Sequence, residues 1–299
     1  MARPNLLLCF DAFGTLFKPR HLPGQQYAEV ARKCGITGFS DDELHASLKS
    51  AIKSEMKQNP NYGKATGLGA TKWWTNVIHN TFTPLIGTDQ SLPQDLVPKL
   101  LHRFSSKEGY DAQPNLISTL RCLKQGKSHR SFDQVIIGVI TNSDDRVPSV
   151  LSSFGLNVSP LRYGIDIDPS VVAGQTYDID FHCMSYDVGV EKPDRLIFDA
   201  AELMLAQIVT MRDSKDPSST GEDLGTWWKV YVGDEYAKDI VGSKNAGWNP
   251  VLLDEGDQST DIAKLEDCTE ETIDTLFKHH KVLKVSSIQN LVAWLTGQR

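Results

Sequence analysis

The chain of 299 residues is long enough for one core domain and a smaller second domain, and its composition is that of an ordinary globular protein. Acidic side chains outnumber basic ones by 38 to 31, a net charge of −7, which argues against nucleic acid or an anionic membrane as the main partner. Five scattered cysteines without a CxxC pair, with no signal peptide and no membrane-length apolar run, predict an intracellular protein, cytoplasmic or nuclear, with free thiols.

The first predicted element is a buried strand formed by the apolar run of residues 6–10. The run is unbroken rather than alternating, which is typical of a strand covered on both faces in a parallel α/β sheet. It ends at Asp11, and a turn containing Gly14 and Thr15 follows. Open α/β sheets bind ligands at the carboxyl ends of their strands, so Asp11 is the first candidate for a functional side chain.

Four helices without an intervening strand are predicted between residues 25 and 104. The second of them begins at Ser40-Asp41-Asp42-Glu43, a capping box in which the Ser and Glu side chains bind each other's backbone N–H groups. The third covers residues 70–82. A run of helices directly after the first strand predicts a small helical bundle, residues 19–113, inserted into a sheet domain.

Strands and helices alternate from residue 114 onward, which predicts an α/β fold with a doubly wound parallel sheet. The sheet domain then consists of residues 1–18 and 114–299. Its further strands are predicted at residues 135–140, 181–185, 228–232, 251–253 and 282–285. Residues 156–180 lack periodicity and predict a surface insertion, and residues 211–226, rich in Ser, Asp, Pro and Gly, predict disorder.

The candidates for chemistry lie at the ends of predicted strands or in the loops after them, so a parallel sheet brings them to one edge: Asp11, Thr141, Lys192, Asp234 and Asp239. A carboxylate can act as a nucleophile and form a covalent intermediate. A hydroxyl and a lysine can bind the oxygens of an anion. Two further carboxylates can hold a hard cation such as Mg²⁺. The set is therefore chemically coherent as one catalytic site.

Four segments that carry these residues, DAFGTLF, ITNS, GVEKPD and GDEYAKD, resemble in this order the four motifs of the haloacid dehalogenase-like (HAD) hydrolase superfamily. The resemblance covers residues 1–18 and 114–299 and implies a Rossmann-like hydrolase core, with the helical bundle of residues 19–113 as its cap domain. The segment NPNYG, followed by TKWW, NVI and TF, resembles the cap of one subfamily of these hydrolases.

The resemblance implies a role for each matching residue. Asp11 matches the nucleophile of the family, and Thr141 matches the hydroxyl residue that binds the transferring group. Asn142 accompanies Thr141 in binding the substrate. Lys192 matches the lysine that pairs with the nucleophile and with substrate oxygens.

The fourth motif implies a metal site. Asp234 and Asp239 match the acidic pair that positions Mg²⁺ in metal-dependent members, where the nucleophile and the backbone carbonyl two residues after it are also ligands. Here those two ligands would be Asp11 and the carbonyl of Phe13. Retention of both acids favours a Mg²⁺-dependent phosphatase whose substrate is a small phosphorylated metabolite.

Phe13 is the point at which the sequence departs from the phosphatases of the superfamily. They usually carry an Asp there, which protonates the leaving alkoxide and then activates water, and general acid–base help of this kind is worth ~10²–10⁴-fold in rate. The dehalogenating members carry an aromatic residue, release halide without a proton and need no metal. A metal-independent 2-haloacid dehalogenase and a weakly catalytic or non-catalytic binding protein therefore remain open as alternatives.

Overall fold

The computed structural model describes residues 3–87, 91–125, 132–172, 174–213, 227–268 and 272–297. Its strands are β1 Asn5–Phe10, β2 Phe17–Pro19, β3 Tyr110–Ala112, β4 Val135–Thr141, β5 Phe181–Met184, β6 Trp227–Gly233, β7 Asn249–Leu253, β8 Ala263–Lys264 and β9 Leu283–Val285. Its α-helices are α1 Pro23–Lys33, α2 Asp41–Gln58, α3 Pro60–Gly63, α4 Ala70–Phe82, α5 Leu96–Arg103, α6 Leu116–Gln125, α7 Val147–Ser153, α8 Pro169–Val172, α9 Ser185–Val188, α10 Leu196–Asp213, α11 Val241–Asn245, α12 Ile273–His279 and α13 Ile288–Leu295.

Seven of these strands form one parallel sheet in the order β5-β4-β1-β6-β7-β9-β8, so the predicted α/β class and parallel sheet are confirmed. The first strand, β1, pairs with β4 on one side and with β6 on the other, and Cys9 lies opposite both Gly138 and Tyr231. Residues 6–10 are completely buried. Burial on both faces explains why this stretch is apolar without alternation.

The central strands end at a single edge of the sheet, as parallel strands must. Asp11 follows β1, Thr141 ends β4, and Asp234 follows β6. This edge is where open α/β sheets place their ligands. The topology therefore positions the residues that the sequence singled out, whatever chemistry they perform.

A hydrophobic core lies between the sheet and helix α10. Leu7 of β1, Phe181 of β5 and Met204 of α10 belong to the same buried cluster. Within this cluster the Phe181 ring packs against Gly138 of β4, where an added Cβ would lie 2.3 Å from the ring atom Cζ. Glycine at position 138 thus provides the space that the Phe181 ring occupies.

The chain divides into two compact units. The first comprises Met1–Phe17, Ala112–Ser143 and Gly155–Arg299 and contains the parallel sheet. The second comprises Lys18–Asp111 and Asp144–Phe154 and is largely helical.

The helices of the second unit follow the sequence prediction closely. Helix α2 begins with the expected capping box, in which Glu43 N donates to Ser40 Oγ and Ser40 N donates to the Glu43 carboxylate. Helix α4 has the predicted bounds, residues 70–82. Both helices bury an apolar face, with Leu44 of α2 and Val77 of α4 fully buried.

Several local features were not predicted. Strand β8 was not predicted, because two residues carry too little periodicity to identify a strand. Helix α3 holds Asn61 and Tyr62 in the left-handed region, at φ 46° and 56°. The pair of short strands β2 and β3 also escaped prediction, for the same reason as β8.

The predictions for the two irregular segments, residues 156–180 and 211–226, have different outcomes. In the described part of residues 156–180, which leaves out residue 173, the segment is irregular and contains only the single-turn helix α8 and isolated bridges, in agreement with an insertion. Of residues 211–226, the first three end helix α10, and the rest lie outside the described residues. Within the described ranges, no helix combines the length and the apolar character needed to cross a membrane.

Gly138→Ala should destabilise the protein, because the added methyl group would overlap the buried Phe181 ring. Overpacking of this kind costs about 1–3 kcal/mol of the free energy of unfolding, which urea denaturation measures. In a Phe181→Leu background the same substitution should cost clearly less, since leucine leaves room for the methyl group. An equal cost in both backgrounds would contradict the proposed packing.

Candidate active site at the carboxyl edge of the sheet

Three carboxylates converge where β1 and β6 end. Asp11 directly follows β1, Asp234 and Asp239 follow β6, and one oxygen of each lies within 4.8 Å of the others. Because β1 and β6 are paired neighbours, the backbone itself brings these distant parts of the sequence together. Asp11 and Asp239 are buried, and Asp234 faces solvent.

Lys192 provides the positive charge of this cluster. It lies in the loop between α9 and α10, its side chain is 1% exposed, and its Nζ is 2.9 Å from Asp11 Oδ1 and 2.7 Å from Asp239 Oδ1. A buried ammonium is stable only with such partners, and it holds the two like-charged carboxylates together. Among the described residues, no donor meets Asp11 Oδ1 at a hydrogen-bonding angle, so its contact with Lys192 is an ion pair alone.

Asn142 fixes the backbone of Lys192. Lys192 N donates to Asn142 Oδ1 at 2.7 Å, and Asn142 Nδ2 donates to the carbonyl of Lys192 at 3.0 Å. This pair joins the loop after β4 to the loop that carries the lysine. Thr141, which ends β4, is 1% exposed. Contact of Thr141 and Asn142 with a substrate stays a prediction.

Asp234 is the solvent-facing carboxylate of the cluster. Thr15 Oγ1 donates to its Oδ1 at 3.0 Å. Gly14 has φ 83°, and a Cβ at this position would lie 2.2 Å from Asp234 Oδ2, so the close approach requires glycine. Partial removal from water raises the pKa of Asp234 to about 6; the hydrogen bond from Thr15 opposes this shift, and the neighbouring carboxylates add to it.

Asp239 lies in a π-helical turn, Tyr236–Ile240, a backbone form that is frequent at functional sites. Its Oδ2 accepts a hydrogen bond from Glu235 N at 2.9 Å, and its Oδ1 accepts from Lys192 Nζ. Gly233 provides its space, because a Cβ there would lie 2.2 Å from Asp239 Cγ. Burial raises the pKa of Asp239, and the Lys192 ammonium opposes that shift.

Tyr231 is a site residue that the sequence did not reveal, because it lies within WWKVYV, a run that indicates only a buried strand. Lys192 Nζ donates to its hydroxyl at 2.8 Å, and the hydroxyl donates to the carbonyl of Ile140 at 2.8 Å. Burial raises the pKa of Tyr231 well above its ordinary value, and the charge of Asp239 adds to the shift, so the phenol is neutral. Thr15 was also missed, since a threonine in a turn carries no signal of its own.

Phe13 is half-buried in the loop after β1. Its ring packs edge-on against Phe17, with ring centroids 4.8 Å apart. The side chain therefore adds an apolar surface to this loop and no group that can transfer a proton.

The donor set of this cluster fits a hard divalent cation. The three carboxylates outnumber the Lys192 ammonium that lies between Asp11 and Asp239, and carboxylate oxygen is a ligand that Mg²⁺ prefers. Asp11 Oδ1 is buried, and no residue in the described part of the chain donates a hydrogen bond to it. Glycine at positions 14 and 233 leaves room for the side chains of the acidic pair, with which a Cβ would collide. A cation among the three carboxylates would offset the repulsion that contributes to the raised pKa of Asp234.

Comparison with known proteins gives relatives along most of the chain. No family model matches. An uncharacterized hydrolase of Schizosaccharomyces pombe is 33% identical over 249 residues, 83% of this chain and 90% of that protein. The haloacid dehalogenase-like hydrolase domain-containing protein 3 of Danio rerio is 27% identical over 258 residues, 86% of this chain and 88% of that protein.

Solved structures share the fold. An L-2-haloacid dehalogenase aligns over 97% of this chain and 99% of that chain, with 15% identity and a TM-score of 0.54. The 2-haloacid dehalogenase from Pseudomonas syringae pv. Tomato DC3000 aligns over 100% of both chains, with 18% identity and a TM-score of 0.50. At these identities the likeness concerns the fold and not the reaction.

Asp234→Asn should stabilise the metal-free protein at pH 7 but not at pH 4. A carboxyl whose pKa rises on folding from 3.8 to about 6 favours the folded state while it is protonated, and this contribution is lost as the pH rises through 6. Asparagine is uncharged at both pH values and can still accept from Thr15. Thermal unfolding in EDTA measures the effect. Asp166→Asn, at an exposed site, removes the same charge and should not change Tm at either pH. A lower Tm for Asp234→Asn at pH 7 would contradict the expected direction.

Proposed function

This chain belongs to the HAD-like hydrolase superfamily, and we propose that it is a Mg²⁺-dependent phosphatase for a small phosphorylated metabolite. Within the superfamily it belongs to the subfamily named haloacid dehalogenase-like hydrolase domain-containing protein 3. The NPNYG and TKWW segments predicted this subfamily. The proposal is carried by one observation: both acids of the fourth motif, Asp234 and Asp239, lie within 4.8 Å of Asp11.

In the proposed reaction Asp11 is the nucleophile. One of its carboxylate oxygens forms a bond to phosphorus, the bond between phosphorus and the leaving oxygen breaks, and a phosphoaspartyl group results. Water then attacks the phosphorus, which releases inorganic phosphate and restores the Asp11 carboxylate. Lys192, 2.9 Å from Asp11, offsets negative charge beside the transferring group, and the Thr141 hydroxyl binds one of its oxygens.

The residues that would hold the cation are the three carboxylates and the backbone carbonyl of Phe13. When bound, Mg²⁺ would neutralise charge on the phosphate as it approaches a carboxylate nucleophile. We propose further that residues 1–18 and 114–299 act as the hydrolase core and that residues 19–113 act as the cap that selects the substrate.

The leaving group of the substrate follows from Phe13. Its ring cannot protonate the leaving oxygen, so that oxygen departs as an anion or takes its proton from water. Phosphates with acidic leaving groups, such as aryl, acyl and enol phosphates, lose the least rate when no side chain protonates the leaving oxygen. We therefore expect these classes to be hydrolysed faster than simple alkyl phosphates.

Purified protein should hydrolyse 4-nitrophenyl phosphate in the presence of Mg²⁺ and lose this activity in EDTA. Asp11→Asn should lower kcat by at least ~10³-fold, because the amide is a poor nucleophile. The exposed control Asp166→Asn should retain wild-type kcat. Turnover that persists both in EDTA and in Asp11→Asn would eliminate the proposal.

Phe13→Asp should raise kcat ~10-fold or more for phenyl phosphate and change it little for 4-nitrophenyl phosphate. The introduced carboxyl group can protonate a basic leaving oxygen, whereas 4-nitrophenolate leaves without a proton. Phe13→Leu removes the ring without adding an acid and should show no gain. Equal gains for Phe13→Asp and Phe13→Leu would show that the ring limits turnover by its bulk rather than by its missing proton.

A metal-independent 2-haloacid dehalogenase is the second candidate, and Phe13 is the observation that favours it. In that reaction Asp11 would attack the carbon that bears the halogen, the carbon–halogen bond would break, and halide would leave without a proton. Water would then hydrolyse the resulting ester. Halide release from 2-chloropropionate by EDTA-treated protein would support this candidate, and its absence would remove it.

A further inference from the structure

The hydroxyl of Tyr231 is one of three oxygens that contact the Lys192 ammonium within the described ranges. Asp239 Oδ1 lies at 2.7 Å, the Tyr231 hydroxyl at 2.8 Å and Asp11 Oδ1 at 2.9 Å. The two carboxylates belong to the proposed nucleophile and cation ligands, so their interactions change during turnover. The hydroxyl is uncharged and belongs to neither group, so it can hold the ammonium in the same place throughout.

Lys192, Tyr231 and Ile140 are linked by two successive hydrogen bonds, and the groups at the two ends determine the direction of each bond. The Lys192 ammonium can only donate, and the carbonyl of Ile140 can only accept. Tyr231, between them, accepts at 2.8 Å from the first and donates at 2.8 Å to the second. The Tyr231 hydroxyl also lies 3.2 Å from Asp239 Oδ1. Because this contact is longer, it is the weaker of the two hydrogen bonds that the single hydroxyl proton can form. The resulting chain joins the lysine loop to β6 and to the residue before Thr141.

The surroundings hold the phenol in this position. Tyr231 is completely buried in the central strand β6, and its ring packs edge-on against Phe198, with ring centroids 5.1 Å apart. The Lys192 side chain is 1% exposed. Water therefore has little access to replace the hydroxyl, and the loss of this oxygen would leave one N–H group of the buried ammonium without its acceptor.

We propose that Tyr231 is a positioning residue of the active site, whose hydroxyl directs the Lys192 ammonium at Asp11 and at the oxygens of a bound anion. The anion in this statement rests on the proposed phosphatase function. The position of the ammonium does not, and the two can be tested separately.

Tyr231→Phe removes the hydroxyl and keeps the ring. In lysine-selective ¹⁵N NMR, the Lys192 ammonium signal, identified by its loss in Lys192→Met, should shift or broaden in Tyr231→Phe. Thr296→Val is the matched control, because it removes a buried hydroxyl that also donates to a backbone carbonyl, that of Val292, at 2.8 Å. The Lys192 signal should be unchanged in the control. An unchanged signal in Tyr231→Phe would overturn the proposal.

Kinetics on the same variants tests the consequence for the reaction. With 4-nitrophenyl phosphate and Mg²⁺, kcat of Tyr231→Phe should fall ~10-fold with KM within about twofold of wild type, because a misdirected group affects the reacting geometry more than binding. Thr296→Val should retain wild-type kcat. Wild-type kcat in Tyr231→Phe would overturn the proposal.

The role of Tyr231 can still be tested in two unfavourable cases. If wild-type protein hydrolyses no phosphate ester, the proposed function fails, and the NMR comparison still decides whether Tyr231 holds Lys192. If Tyr231→Phe does not fold, the wild-type protein carries the test. Its slowly exchanging Tyr231 hydroxyl proton should show a cross-peak to the Lys192 ammonium protons, and the absence of that cross-peak would refute the contact.

Discussion

The rest of the site depends on the buried ion pairs of Lys192 with Asp11 and Asp239. Two carboxylates this close would repel each other strongly in a medium of low polarity, and one ammonium between them makes the arrangement stable. Removal of one partner from a buried pair typically costs about 3–5 kcal/mol. That is a large part of the roughly 5–15 kcal/mol that holds an ordinary domain folded. The same interaction therefore supports the fold and holds the carboxylates of the candidate site in place.

The parallel sheet brings these ion pairs and the other site residues together at one edge. Strands β1 and β6 are neighbours, so the residues that follow them share one edge, and Asn142 ties the backbone of Lys192 to the loop after β4. Gly14 and Gly233 permit the close approach of Asp234 and Asp239. The site is thus built from residues at strand ends and from Lys192, whose side chain and backbone are both held by hydrogen bonds. It also requires glycine at two positions where a Cβ would collide with an acidic side chain.

The sequence predicted the features that follow from a local pattern of residues or from motifs that resemble those of a known family. The unbroken apolar run of β1 indicated a fully buried strand, and the capping box of α2 indicated where that helix begins. Tyr231 could not be predicted, because its role depends on which oxygen atoms lie around Lys192, and an apolar strand does not encode them. The same holds for the hydrogen bond from Thr15 to Asp234, which joins residues that only the sheet topology brings together.

Phe13 and the acidic pair indicate different reactions, and the position of the first covalent bond distinguishes them. A phosphatase of this design passes through a phosphoaspartyl group on Asp11, whereas a dehalogenase passes through a carbon ester. The most direct measurement is peptide mass spectrometry of protein quenched with acid during turnover of an aryl phosphate with Mg²⁺. A phosphoryl group on the peptide that contains Asp11, absent from Asp11→Asn, is the predicted result. A protein that turns over the substrate with no phosphoryl group on Asp11, or with the group on another residue, would contradict the assignment of the nucleophile.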